Sequence, residues 1–331
     1  QPGSVRLGKQ VVSWGESTFI GGGINSINPI DVSAFRRPGA EIKEGLIPVN
    51  MFYVSQSLTD NLSAEAFYQL EWDQTVVDNC GTFFSQPDIV ADGCDNNLRV
   101  LNKRSTIPAI ALGPLAANGV DVNEEGVLVQ RGGDRDARDG GQWGASFKYM
   151  FDPLDTEFGA YFMNYHSRAP IFSATGAPQS VYNTAAALPG PFAALAPLLV
   201  AGNSQYFIEY PEDIRLYGLS FSTTLSTGTA WSGEVSYRPN APVQLNSTDI
   251  LFAGVRPLGG VLGNASLLSA APGTDLHGYR RKEITQFQST LTHFFDQVMG
   301  ASRLTLVGEV GVTHVGGLES TSDVRYGRDP V

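Results

Sequence analysis

The sequence predicts an all-β fold, a transmembrane antiparallel β-barrel with short periplasmic turns and long extracellular loops. Three observations predict it. Connections between strand-like runs alternate strictly between short and long. The runs alternate apolar and polar residues. No segment has the roughly 20 mostly apolar residues that a membrane-crossing helix needs. The most apolar stretch, Ala185 to Ala201, contains Pro189, Pro191 and Pro197 and reads as a loop or a short broken helix.

Composition agrees. Of 331 residues only 17% are charged, against roughly a quarter in soluble domains. Gly numbers 37 and aromatics reach 10%, a mixture that suits strands and turns. The net charge of −11 argues against nucleic-acid binding, which needs clustered Lys and Arg. Acidic, polar outer loops account for it.

Nine strand-like runs lie near residues 3–14, 42–57, 61–74, 140–152, 156–168, 212–226, 229–239, 279–295 and 301–315. Four short connections carry turn residues: Leu58 to Asn61, Pro153 to Asp155, Thr227 to Gly228, and Asp296 to Gly300. The long ones span about 15–41, 75–139, 169–211 and 240–278. In the run after Asn61, Leu62, Ala64, Ala66, Tyr68, Leu70 and Trp72 share one parity. Ser63, Glu65, Gln69 and Glu71 share the other, with Phe67 as the exception. Trp143, Ala145, Phe147, Tyr149 and Phe151 oppose Gln142, Ser146, Lys148 and Asp152. Trp231, Val235 and Tyr237 oppose Ser232, Glu234, Ser236 and Arg238. Leu304, Leu306, Val310 and Val312 oppose Arg303, Thr305, Glu309 and Thr313. Side chains alternate faces along a strand, so each run has an apolar and a polar face. Trp14, Trp72, Phe151, Tyr237, Phe294 and Phe295 sit near run ends, as interfacial girdles do. A soluble sheet with one wet face gives the same alternation but no reason for the loop asymmetry.

Bacterial single-chain barrels use an even strand number, so nine runs cannot close. Either strands hide in the long loops, with Asn97 to Ile107 and Tyr206 to Tyr210 as candidates, or this single barrel domain over 1–331 is part of a larger barrel. No signal peptide is visible before Gln1-Pro2-Gly3, and both ends read as cuts. Cys80 and Cys94 flank a loop and read as a disulfide in an oxidising compartment. His166, His277, His293 and His314 are too scattered for a zinc site.

Several motifs together resemble a known family. They are Gly8-Lys9-Gln10-Val11-Val12-Ser13-Trp14-Gly15-Glu16-Ser17, Gly23-Ile24-Asn25-Ser26-Ile27-Asn28-Pro29-Ile30-Asp31 and Arg36-Arg37-Pro38-Gly39-Ala40-Glu41-Ile42-Lys43-Glu44. Later come Tyr165-His166-Ser167-Arg168, Tyr210-Pro211-Glu212-Asp213-Ile214-Arg215 and Gly233-Glu234-Val235-Ser236-Tyr237-Arg238. The sequence resembles, over most of its length, the proteobacterial family called domain of unknown function 1302. The resemblance implies a Gram-negative outer-membrane protein, with a signal peptide and further strands in typical members. It also implies a setting beside degradation of hydrophobic compounds and resistance-nodulation-division export pumps, hence passage of hydrophobic molecules.

Candidate site residues follow from the barrel reading. Arg36, Arg37, Glu41 and Glu44 form the expected constriction, with Glu65, Glu71, Lys148, Glu234, Arg303 and Glu309 as further lumen charges. The bland alternative is ion pairing that pins a loop to the wall. Leu188, Phe192, Leu195, Leu198 and Leu199 make a hydrophobic loop, read as a plug or ledge for substrate, or as a loop packed on itself. Asp134, Asp136 and Asp139, and more weakly Asp121, Asn123, Glu124 and Glu125, are calcium candidates off the consensus spacing; no other cofactor is expected. No catalytic residue is expected: Asn164 and His166 face away from Ser167, and no G-x-S-x-G elbow occurs. The leading expectation is a channel or transporter for hydrophobic or amphipathic small molecules. A non-conducting docking platform for an envelope export assembly is the alternative, and a general diffusion porin a second one. The expected partners are outer-membrane lipid and lipopolysaccharide, a small hydrophobic solute, and a periplasmic or export-pump component.

Overall fold

The computed structural model describes residues 2–37, 45–85, 88–100, 107, 109–123 and 126–327. Its main element is a nine-stranded sheet. The strands are β1 (Gly3–Gln10), β2 (Val49–Ser57), β3 (Leu62–Gln69), β4 (Trp143–Phe151), β5 (Thr156–Tyr165), β6 (Ile214–Thr224), β7 (Ala230–Gln244), β8 (Tyr279–Val298) and β9 (Ala301–Gly316). Each pairs antiparallel with its neighbour in sequence, giving an up-and-down meander with β1 and β9 at its edges. All nine expected runs are strands of this sheet. The fold is all-β, and no helix among the described residues is long and apolar enough to cross a membrane.

The register explains the two faces. One cross-strand row reads Ala64, Phe147, Ala160, Leu219, Val235, Phe287, Val312 from β3 to β9. The adjacent row reads Ser4, Ser55, Glu65, Ser146, Tyr161, Gly218, Ser236, Gln286, Thr313 across all nine strands. A shift of one residue would exchange the two chemistries, so the alternation itself fixes the pairing. The apolar face is uncovered: Leu219 is 60% exposed and Val312 62% exposed.

Strand ends differ from expectation. β1 stops at Gln10 rather than residue 14, and β3 at Gln69 rather than 74. The apolar residues beyond β1 are taken inward: Val12 and Trp14 are buried in the core. Trp14 is therefore no girdle residue, and Trp72 packs on Tyr210 with ring centroids 4.8 Å apart. Phe151, Phe294 and Phe295 do lie exposed near strand ends, but Tyr237, though exposed, sits in mid-strand because β7 continues to Gln244. β7 runs past Pro239 to Gln244, through a register shift between Arg238 and Ala241. A bulge is where a strand tolerates the missing proline N–H.

The long connections build a structured cap. Ile171–Thr175, Gln205–Glu209, Gln130–Arg131 and Asp275–Leu276 form a four-stranded sheet, and Arg99–Val100, Val122–Asn123 and Gly126–Leu128 a three-stranded one. The two segments suspected of hiding wall strands, Asn97 to Ile107 and Tyr206 to Tyr210, thus pair within the cap, apart from residues 101–106, which lie outside the described residues. The nine-stranded sheet does not gain from them, because each is short and finds a partner within its own long connection. Residues 185–201 form a broken helix: a 3-10 turn over Gly190–Leu195 leads into a helix over Ala196–Gly202. Leu195, Leu198 and Leu199 are buried against Ala111, Leu115 and Val127, with Leu188 and Phe192 packed at the side. This hydrophobic loop is the core of the cap rather than an open ledge.

Candidate functional site

Residues 11–37, the connection after β1, lie on the polar-row face of the sheet and cover its long-loop end. Val12, Trp14, Ile24 and Ile27 join Val49, Met51, Phe67, Met163 and Leu216 in one buried cluster. Phe67 breaks the parity of its strand because it packs on Trp14, with ring centroids 5.2 Å apart.

Two wall carboxylates hold this loop by its backbone. Glu234 on β7 is 2% exposed. It accepts from the Glu16 N–H at 2.6 Å, the Ile24 N–H at 2.9 Å and the Gln288 amide at 2.7 Å. Glu309 on β9 accepts from the N–H groups of Thr18, Phe19 and Ile20 at 2.9, 2.7 and 2.8 Å. The Thr290 hydroxyl adds a fourth donor at 2.9 Å. A buried carboxylate needs such partners, and successive backbone N–H groups form a concave site for an anion. Gly15 and Gly23 make the approach possible. A Cβ at either position would collide with the Glu234 carboxylate, and Gly15 also takes φ +87. Amide side chains complete the attachment: Gln69 donates to the Ile27 carbonyl at 2.8 Å, Gln286 to Gly21 at 3.0 Å, and Asn28 to Gln10 and Ile47 at 3.1 and 3.0 Å.

Below the loop the covered face is charged. The Trp14 indole donates to Glu65 at 2.6 Å, and Lys148 lies 3.6 Å from Glu157. Burial pushes the Glu16 carboxyl up to about 7, against a lowering by Lys148; Glu157 and Glu234 raise it further.

The expected site residues therefore divide. Glu65, Glu234 and Glu309 contact the loop directly, and Lys148 faces Glu157 on the same wall. Arg36 does not join them: it pairs with Asp78 in the cap, its guanidinium 4.4 Å from the Phe84 ring centre. Arg37 is exposed, and Glu41 and Glu44 lie outside the described residues. Glu71 pairs with Lys9 at 3.4 Å beside the β1 edge, and Arg303 with Asp296 at 2.9 Å by the last short turn. No single ring of these charges forms among the described residues.

Asp134, Asp136 and Asp139 do not converge. Asp134 pairs with Arg131 at 2.6 Å, and Asp139 accepts the Trp72 N–H at 3.0 Å. Asp121 lies 3.5 Å from Arg99, and Glu124 and Glu125 are outside the described residues. No group of three possible metal ligands occurs among the described residues. His166 is buried with both ring nitrogens engaged, Nε2 on the Gly140 carbonyl at 2.9 Å and Nδ1 accepting the Asp213 N–H at 3.0 Å. Ser167 donates to the Ala169 carbonyl at 2.9 Å. Asn164 donates to the Gly141 carbonyl at 2.9 Å. All three secure the base of the cap.

Sequence reasoning missed a cavity of about 540 Å³ in the cap. It lies between the loop closed by the Cys80–Cys94 disulfide, the strand at Phe172 and the helix Ser247–Phe252. The loop on the covered face reaches it: Val32 lines the cavity and its N–H donates to the Val76 carbonyl at 3.0 Å. Its walls come from segments too far apart in sequence to be read together.

A search of curated proteins returns no match. Residues 1–329 match the family model described as protein of unknown function (DUF1302). The chain belongs to that family.

Proposed function

We propose that this DUF1302 member forms the wall of an outer-membrane β-barrel that passes hydrophobic or amphipathic small molecules, with residues 11–37 as its internal plug. The observation that carries the reading is the pair of faces on one sheet. An apolar face crosses the strands with nothing over it, while the polar-row face is occupied by the chain's own loop. Contiguous exposed apolar surface of this extent is foreign to a monomeric soluble protein and suits lipid. The wall strands have 8 to 20 residues, and those of nine or more reach the length a tilted strand needs. The plug disfavours a general diffusion porin, whose lumen is an open channel.

The reading predicts gated passage. Planar-bilayer conductance of the full-length protein should be low and intermittent, and it should rise when Glu234 and Glu309 are both replaced by Gln. A folded double variant as silent as the parent would sink the transport reading. It would favour a non-conducting platform for an envelope assembly, which the tight packing of Trp14, Ile24 and Ile27 under the cap also suits.

A further inference from the structure

We propose that the cap cavity binds a neutral, largely apolar small molecule bearing an accepting oxygen, such as an aryl ketone or ether. The proposal deepens the transport reading and rests on it for its purpose, since a carrier of apolar solutes needs a capture site.

The cavity's volume of about 540 Å³ falls within the range of small-molecule sites. Val32, Val77, Ile89, Phe172 and Leu251 give it apolar walls, and Phe84, 59% exposed, adds an aromatic surface. Among the described residues, Asp78 is the only ionisable one of the lining, and Arg36 neutralises it. The Gln244 amide is fully used. It donates to the Phe172 and Gly278 carbonyls at 2.9 and 2.8 Å and accepts the Phe172 N–H at 2.8 Å. The remaining polar groups are the hydroxyls of Ser85, Ser247 and Thr248. None of these hydroxyls bonds to another described residue, so each is free to donate to a ligand. This inventory selects by charge. A ligand carboxylate would find no unpaired cation among the described lining residues and would lose its hydration, whereas a ketone or ether oxygen needs only a hydroxyl. The disulfide ties Cys80 to Cys94, with the lining residues Phe84, Ser85, Ile89 and Val90 inside its loop and Asp78 and Leu98 just outside it, which holds the site in shape before a ligand arrives.

Benzophenone, a neutral diaryl ketone that inserts into C–H bonds under near-ultraviolet light, is the probe. The full-length protein in lipid nanodiscs is irradiated over a concentration series, and labelled peptides are mapped by mass spectrometry. We expect saturable labelling of the peptides carrying Phe84 to Val90 and Leu251. For the anionic analogue 4-benzoylbenzoate, half-saturation should be roughly tenfold weaker or more, as befits an unpaired charge. Leu251→Trp should fill the cavity and abolish saturable labelling, while Val261→Trp, at a cap position 90% exposed, should not. Should the Leu251 variant fail to fold, the Ser247→Ala/Thr248→Ala double variant keeps the volume and should weaken labelling by roughly threefold or more. Non-saturable label spread over the wall strands, equal labelling by ketone and carboxylate, or undiminished labelling in both folded variants would overturn the site. Conductance of the same preparation separates the two ideas. Saturable labelling without conductance keeps the site and loses transport, and conductance without labelling does the reverse.

Discussion

Replacing Glu234 by Gln should unfasten residues 15–24 from the wall while leaving the sheet intact. The carboxylate is 2% exposed and accepts three hydrogen bonds, at 2.6 Å from Glu16 N–H, 2.9 Å from Ile24 N–H and 2.7 Å from the Gln288 amide. The two backbone bonds fall on different oxygens, Oε2 and Oε1. Gln has one accepting oxygen, so whichever way its amide turns, one backbone N–H meets an NH₂ group instead. A hydrogen bond to a charged group contributes about 1.5–3 kcal/mol, and an abandoned buried donor costs a similar amount. Losing one such bond and weakening the other lowers the local opening free energy by about 3 kcal/mol. That is about two decades in the open-to-closed ratio. Hydrogen exchange by mass spectrometry reads it directly, since local opening sets amide exchange. The amides of Glu16 and Ile24 should exchange about 100-fold faster. The Val12 amide, held by Asn28 at 2.9 Å, should change far less. A folded variant with unaltered exchange at positions 16 and 24 would refute the claim that this carboxylate latches the loop.

Other consequences are open to the same kind of test. Gly23→Ala should cost about 1–3 kcal/mol of plug stability by overpacking against Glu234, whereas Gly21→Ala, with open space around its Cβ, should be near neutral; chemical denaturation of the pair separates them. The raised Glu16 carboxyl makes closure pH-dependent. Its protonated form is favoured in the seated plug, so this stabilisation is complete below about pH 4.5 and lost as the pH rises through about 7. Acrylamide quenching of Trp14, with the other tryptophans replaced by Phe, should increase over that window, and Glu16→Gln should flatten the profile. Leu219→Arg, in the middle of the uncovered apolar row, should destabilise the protein refolded in bilayers by roughly 2–4 kcal/mol if that face meets lipid. A change within about 0.5 kcal/mol would instead mark an ordinary wet surface.

The sheet was legible because its signal repeats. Period-two alternation, set out in four of the nine runs, together with turns such as Thr59-Asp60-Asn61, points to one architecture, and the pairing follows it strand by strand. The ends were overread for a physical reason. Val12 and Trp14 continue the apolar character of β1, but they bury it in the plug rather than on the outer row. Glu234 and Glu309 could be placed on the polar face from parity, yet not assigned a task, because their partners are backbone N–H groups that every residue but proline carries. The clues that existed were small. Phe67 stood on the wrong face, and Gly15 and Gly23 flank a short loop segment; each is a trace of the same loop lying against the wall. Arg36 misled because charge alone suggested a lumen, while the Asp78 it meets is forty-two residues away, just before the loop that the Cys80–Cys94 disulfide closes.

The division of labour between charges in this fold follows from what each must hold. In the cap, Arg138 bridges Glu212 and Asp213, and Arg325 meets Asp249, pairing side chain to side chain. At the plug the carboxylates face backbone amides instead, with no cation bonded to Glu234 or Glu309 among the described residues. An ion pair fixes two side chains and tolerates drift in the backbone between them. A carboxylate set against backbone N–H groups fixes the backbone path itself, and it releases that path when one oxygen loses its role. Paired charges are thus suited to a permanent joint, and the amide-bound carboxylates to a segment that opens and closes. The cavity beside Val32 lies at the far end of that segment, where the loop leaves the wall and enters the cap. Under the transport reading, a ligand seated there would touch a stretch of chain whose movement would clear the covered face, so capture and gating would share residues 24–32 without any longer path between them.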